Sequence, residues 1–299
     1  MNFSAKQNRP VVLITGATSG IGYATAKLLT GKGDRVVVHG RDEKTARAAC
    51  AEINAARALI PVWADLADLA QVRALAKQIK QAAPPLDAVI FNAGVFQKGG
   101  LLSVDGFELD FAVNYLSHLL LAHLLLEHLA PQARVIFVSS SAYINGKADA
   151  SDLGKQYLND PMTAYATSKQ LCLMAALEMA RRLSRTGICV NTCNPGPTNT
   201  GLLATGKEYG WRNAGNPPIK AARRLEWLAL SPELRSVTGR YFNGKQTPNV
   251  PKRVRDEKTT AAIYEASIRL CKAQRSKLNL GTDLNQYFNN DFNNDFNKD

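Results

Sequence analysis

Val11-Val12-Leu13-Ile14-Thr15-Gly16-Ala17-Thr18-Ser19-Gly20-Ile21-Gly22 passes from a short apolar run through a glycine-rich stretch into a helical pattern that reaches Leu28-Leu29. The apolar run, rich in β-branched residues, reads as a buried strand. Glycines between a strand and a helix permit a tight turn, let the backbone approach a pyrophosphate, and allow the helix to pack on the strand. The helix N-terminus adds free N–H groups and the positive end of its dipole. Gly16, Gly20 and Gly22 follow a G-x-x-x-G-x-G spacing, a variant of the commoner G-x-G-x-x-G fingerprint. A turn without a ligand would also use glycine, but the strand–turn–helix context favours dinucleotide binding.

The same alternation continues outward. Arg35–His39, Leu59–Val62, Ala88–Phe91, Val135–Ser139 and Ile188–Thr192 read as strands, and helical patterns cover Ala46–Ile53, Leu69–Ile79, Phe107–His128 and Thr163–Leu183. Strands joined by helices of this length require right-handed crossovers and a parallel sheet covered on both faces. The expected fold is therefore α/β, a Rossmann-type doubly wound sheet of about seven strands. Two segments break the pattern. Gly201–Pro218, rich in glycine, proline and aromatics, is expected to be a mobile loop. Residues 273–299 end in an Asn/Asp/Phe repeat from Tyr287 to Phe296 that buries too little apolar surface to order itself. The expected organisation is one dinucleotide-binding domain over 1–272 and a disordered tail over 273–299.

Composition narrows the function classes. No run reaches the roughly 18 uncharged apolar residues of a membrane span. The richest, Leu116–Leu129, is interrupted by His118, His123, Glu127 and His128 and reads as a buried helix. Met1–Pro10 lacks the apolar centre of a signal peptide. Five cysteines without C-x-x-C spacing suit reduced thiols in the cytoplasm. The net charge of +12 comes with no nucleic-acid motif, so it is read as a solubility and cofactor-attraction term.

Chemistry is carried by Tyr165-Ala166-Thr167-Ser168-Lys169. Residues four apart share a helix face, so Tyr165 and Lys169 would set a phenol beside an ammonium, which would lower the phenol pKa from about 10. The pair alone could equally be a packed tyrosine beside a solvated lysine. At the end of the second strand, Gly40 stands where an NAD site offers an acid and Arg41 follows, which favours NADP; Asp42 is the residue that argues for NAD, and Arg41 could also be a surface charge. His118, His123 and His128 recur every five residues and spread around a helix, so a shared metal site is not expected and no metal is assigned.

Taken together, the chain resembles the short-chain dehydrogenase/reductase family. Gly16…Gly20-Ile21-Gly22, Asp65-Leu66, Asn92-Ala93-Gly94, Asn114, Ser139-Ser140-Ser141, Tyr165…Lys169 and Pro195-Gly196-Pro197-Thr198-Asn199-Thr200 occur in the family's order over about residues 10–272. Val36–Asp42, Asn114–His118 and Gly239–Phe242 look like its retinol-dehydrogenase-like and protochlorophyllide-reductase-like branch. The resemblance implies that Tyr165 is general acid and base, that Lys169 holds the nicotinamide ribose and depresses the tyrosine pKa, and that Ser140, or Ser141 if the strand end slips, bonds the substrate oxygen. It implies that Asn114 anchors a water in a proton relay. Cofactor contacts are implied for Gly16, Ser19, Gly20, Ile21, Gly22, Arg41, Asp65, Leu66, Asn92, Ala93, Gly94, Pro195, Gly196, Thr198 and Thr200. The implied activity is NADPH-dependent reduction of a small to medium, rather apolar ketone or aldehyde, or the reverse. Its pocket is expected along Gly146–Met162 and the 201–218 loop, closed by Leu202, Leu203, Tyr209 and Trp211. Retinoid enzymes of the branch usually carry a membrane anchor, which is not expected here. Family members can also form homo-oligomers through their fifth and sixth helices. A reading from another class is a catalytically silent NADPH-binding regulatory or scaffold protein with the tail as its interaction arm.

Overall fold

The computed structural model describes residues 9–55, 58–154 and 157–276. Seven parallel strands form one sheet in the order β3-β2-β1-β4-β5-β6-β7, the Rossmann-type arrangement expected. They are β1 (Val11–Ile14), β2 (Arg35–Gly40), β3 (Leu59–Trp63), β4 (Leu86–Phe91), β5 (Leu129–Val138), β6 (Cys189–Asn194) and β7 (Tyr241–Asn243). Side chains alternate across a strand, and β1 divides accordingly. Val12 and Ile14 enter one core with Ala26, Leu29 and Leu225, whereas Val11 and Leu13 enter another with Val72, Leu116 and Met174. Burial on both faces explains why β1 is continuously apolar instead of alternating.

The first core lies under α1 (Gly20–Gly31), α2 (Glu43–Ile53) and α8 (Pro218–Leu230). The second lies under α3 (Leu69–Ala82), α4 (Leu109–Phe111), α5 (Ser117–Leu125) and α6 (Pro161–Arg182). Between α4 and α5 the helix continues as a π-helical turn, Ala112–Leu116, and it ends in a 3₁₀ turn, Leu126–His128. By length and composition Leu109–His128 could cross a membrane, contrary to the sequence count, but 78% of its most apolar window is buried in this fold. It is apolar all round because it is covered all round.

Two expectations change. The 201–218 segment is half helical: α7 (Gly201–Glu208) is capped by Thr200, whose Oγ1 accepts from the Leu203 amide at 3.4 Å. At the other end, α9 (Lys252–Arg255) is followed by α10 (Glu257–Ser276), so helix continues four residues beyond 272. The low-complexity repeat lies outside the described residues. α10 packs on α5 and α6. Ser267 Oγ and Tyr115 OH are 2.8 Å apart, Tyr264 OH and His123 Nε2 2.6 Å, and Arg182 reaches Glu265 at 3.2 Å.

Candidate active site

Because the strands are parallel, whatever follows each strand emerges at one edge of the sheet. Gly16–Gly22, Arg41, Asp65-Leu66, Asn92–Gly94, Ser139–Ser141 and Pro195–Thr200 follow β1 to β6 respectively. The order reverses between β1 and β4, which opens a crevice at that edge. Gly16 has φ 64°, and a Cβ there would lie 2.9 Å from Ala93 Cα. A Cβ on Gly22 would overlap the Gly16 carbonyl. The fingerprint glycines are thus required by the turn's own packing as well as by any ligand. Ser19 is the N-cap of α1 but makes no side-chain capping bond, and the first turn holds no acid.

The turn is braced from behind. Asn92 Nδ2 donates to the carbonyls of Thr15 (2.9 Å) and Gly16 (3.2 Å), and Thr15 Oγ1 accepts from the amides of Asn92 and Ala93 at 2.9 and 3.0 Å. Asn92 therefore supports the turn with its side chain. The Gly16 amide donates to His39 Nδ1 at 3.1 Å while His39 Nε2 donates to the Ala64 carbonyl at 3.1 Å. Burial holds His39 at about 4, neutral, as this pairing needs. Sequence reading gave His39 no role; its place at a strand's carboxyl end was the available signal.

At the end of β2, Asp42 caps α2, its Oδ1 accepting from the Thr45 amide at 2.8 Å, and this bond holds the carboxyl below the usual range. Arg41 beside it is exposed. A Cβ on Gly40 would stand 2.9 Å from both the Ala46 amide nitrogen and Thr18 Cγ2, so no acidic side chain fits there without a shift. Asp65 Oδ1 accepts from the Ala67 amide at 2.9 Å. Leu66 beside it packs its side chain into the core.

A cavity of about 350 Å³ runs from the crevice along α6, and Tyr165, Lys169 and Ser140 share its wall. Ile21, Asn92, Gly94, Pro195, Gly196, Thr198 and Thr200 line it too. The other expected cofactor residues lie in the turn behind it or at the ends of β2, β3 and β4. Asp160 caps α6 and Pro161 opens it, which aims Tyr165 one turn inside the helix toward the strand ends. Burial raises the Tyr165 pKa, and a hydrogen bond with the Ser140 side chain opposes the rise. Lys169 Nζ lies 5.7 Å from the Tyr165 ring centroid and donates to the Val138 carbonyl at 3.2 Å. The expected depression of the phenol by Lys169 is not what this geometry gives: burial dominates and the ammonium is turned toward a carbonyl. Burial also lowers the Lys169 pKa. Ser140 is the N-cap of the 3₁₀ turn Ser141–Asn145 and adjoins the phenol, whereas Ser141 is exposed.

Asn114 sits in the π turn. Its Oδ1 accepts from the Val95 amide at 2.7 Å, and its Nδ2 donates to the Val95 carbonyl at 3.0 Å and to Ser168 Oγ at 2.9 Å. Its own carbonyl accepts from His118 Nδ1 and Cys172 Sγ, each at 3.1 Å. With its proton on Nδ1, His118 Nε2 accepts from Thr15 Oγ1 at 3.0 Å, which joins the π turn to the glycine turn.

The apolar wall differs from expectation. Among the described residues of Gly146–Met162 only Met162 lines the cavity; Lys147, Asp149 and Tyr157 face a separate open hollow of about 620 Å³ against α10. Leu202, Leu203 and Trp211 line the cavity as expected. Tyr209 stands a layer outside, on Phe96. Trp211 stacks on Phe96 with centroids 5.1 Å apart at 14° and lies 5.4 Å from the Tyr165 ring. Phe96 meets Tyr165 edge-on at 5.3 Å. Phe96 and Asn213, lone residues in irregular segments, and Asn145, in a short 3₁₀ turn, were missed because none of them carries a periodic signal.

A family model described as short chain dehydrogenase matches residues 10–209. The chain is 33% identical over 286 residues to retinol dehydrogenase 14 of Homo sapiens, covering 86% of this chain and 84% of that one. It is 34% identical over 284 residues to polyprenol dehydrogenase of Mus musculus, covering 88% and 84%. Among solved structures, a blue fluorescent protein from a metagenomic library in complex with NADPH superposes with a TM-score of 0.63 at 26% identity, covering 80% of this chain and 98% of that one.

Proposed function

The chain belongs to the short-chain dehydrogenase/reductase family, on its retinol-dehydrogenase-like branch, and from that premise we propose that it reduces a ketone or aldehyde with NADPH, or runs the reverse oxidation, with Tyr165 as proton donor and acceptor. The observation that carries this reading is the convergence of Ser140, Tyr165 and Lys169 on one cavity continuous with the glycine turn. A dinucleotide fits that crevice: Gly94 leaves room beside Lys169, a Cβ there lying 3.1 Å from Nζ, and Ser19 leaves the start of α1 uncapped by its side chain. Ile21, Asn92–Gly94, Thr198 and Thr200 would hold it, and the bound nicotinamide would supply or accept the hydride. The exposed Arg41 and the crowded Gly40 support the 2′-phosphate form, as does the NADPH complex of the similar structure.

Tyr165 gives its phenolic proton to the oxygen of the carbonyl being reduced. Ser140 donates to that same oxygen and orients it, and Lys169 holds positive charge beside the phenol as it loses its proton. Asn114 fixes the Val95 backbone and Ser168 around them. Met162, Leu202, Leu203 and Trp211 supply an apolar wall that excludes water. This wall, with relatives named for retinol and polyprenol, supports a rather apolar substrate. The five unpaired cysteines support a reducing compartment such as the cytoplasm. α10 covers α5 and α6, so any homo-oligomer we envisage uses another face.

The test is calorimetric titration with NADPH and NADH, followed by a carbonyl panel read at the nicotinamide absorbance. Tighter NADPH binding with turnover of a ketone or aldehyde is expected. Binding without turnover across the panel would instead support the silent binding protein, and no binding of either nucleotide would sink the enzyme reading.

A further inference from the structure

Asp110 precedes Asn114 by one helical turn and shares its face of the helix. It is only 1% exposed. Its Oδ1 accepts from the Gln97 amide at 3.2 Å, while Oδ2 is buried with no hydrogen-bond partner among the described residues. A buried carboxyl with an unsatisfied oxygen is destabilising and calls for a reason. Its neighbours suggest one. The point where a Cβ on Gly94 would stand is 3.1 Å from Lys169 Nζ and 3.3 Å from Asn114 Oδ1, so the ammonium meets this helix face at Gly94.

The titratable groups whose charge reaches Asp110 are Glu108 at the start of its own helix and Lys169 and Tyr165 from α6, while Cys172, Cys193 and His118 interact electrostatically with Lys169. Burial and the Glu108 carboxyl push Asp110 up to about 8, against the pull of Lys169. Asp110 in turn raises the pKa of both Tyr165 and Lys169.

We propose that Asp110 is the buried counter-charge of the Tyr165–Lys169 pair, a positioning residue that acts through both groups to set the pH at which the pair stops donating its proton. A nearby negative charge opposes proton loss from an ammonium and a phenol alike. Lys169 needs that help, since burial alone drives it toward the neutral amine. Asp110 acquires its charge as the medium turns alkaline, when the pair is most at risk of losing its proton. This rests on the reading of Tyr165 as proton donor.

The experiment compares pH profiles of kcat/KM for carbonyl reduction and alcohol oxidation in the wild type, Asp110→Asn and Tyr165→Phe. Removing the buried charge is expected to move the alkaline limb of reduction and the acid limb of oxidation to lower pH by about one unit. Limbs that stay in place or move upward overturn the proposal, whatever the height of the plateau. Should Asp110→Asn fail to fold, Asp110→Ser removes the same charge and is read the same way. Full turnover by Tyr165→Phe would overturn the underlying assignment instead, so the two failures are separable.

Discussion

Burial keeps the Tyr165 phenol protonated through the neutral range, so the residue is set to give a proton to a reduced carbonyl more readily than to take one from an alcohol. Tyr165→Phe should lower kcat by about 10²–10⁴-fold and leave the NADPH Kd within a few-fold, as measured by steady-state kinetics and calorimetry. The histidines make a different prediction. His39 and His118 are buried and His123 is half-buried, and desolvation holds them near 4, 3 and 4, against 6.5 when free. Their folded values lie below the unfolded one, so their neutral forms destabilise nothing above about 6.5, and stability is lost as pH falls from there through about 4 and 3. Thermal melting should show Tm falling steeply below pH ~6. Tyr165, Lys169 and the glycines were legible because each stands in a spaced motif. Asp110 was not, since its significance is a missing partner, which only packing reveals.

Among the elements, α7 was hidden because Gly201, Thr205 and Gly206 are poor helix formers in an eight-residue helix. Tertiary contact stabilises it. Gly206 lies against the Trp211 ring so closely that a Cβ would overlap it, and Trp211 is thereby held on Phe96 beside Tyr165. Gly206→Ala should therefore displace Trp211 while improving local helix propensity. The expected outcome is a KM for apolar carbonyls raised about tenfold, about 1.4 kcal/mol of lost contact, with NADPH affinity unchanged; unchanged KM would show that the stack is incidental to the substrate. The long strands and helices were readable because their apolar periods match their burial. The π turn at Ala112–Leu116 was not, since one extra residue in a fully buried helix leaves the apolar pattern uninterrupted.

At the scale of the whole molecule, the doubly wound parallel sheet followed from the alternation of strand and helix, but the placement of α10 did not. An amphipathic helix announces that one face is covered without saying by what. Here it covers Tyr115 and His123 on one helix and Glu178 and Arg182 on another. Ending the chain after Pro251 should expose that apolar surface, and we expect an insoluble product or a Tm lowered by more than 10 °C, read by calorimetry on any soluble fraction; about 5 kcal/mol of lost stability gives that shift in a domain of this size. The same helix has a bearing on how the protein is made. Tyr115 meets Ser267 across 152 residues of chain, which a ribosome takes roughly 8–30 s to add. For the part of that interval after α6 is complete at Arg182, the nascent chain carries the flank of α5 and α6 bare, so the arrival of α10 ends the period in which a chaperone or a protease can engage it.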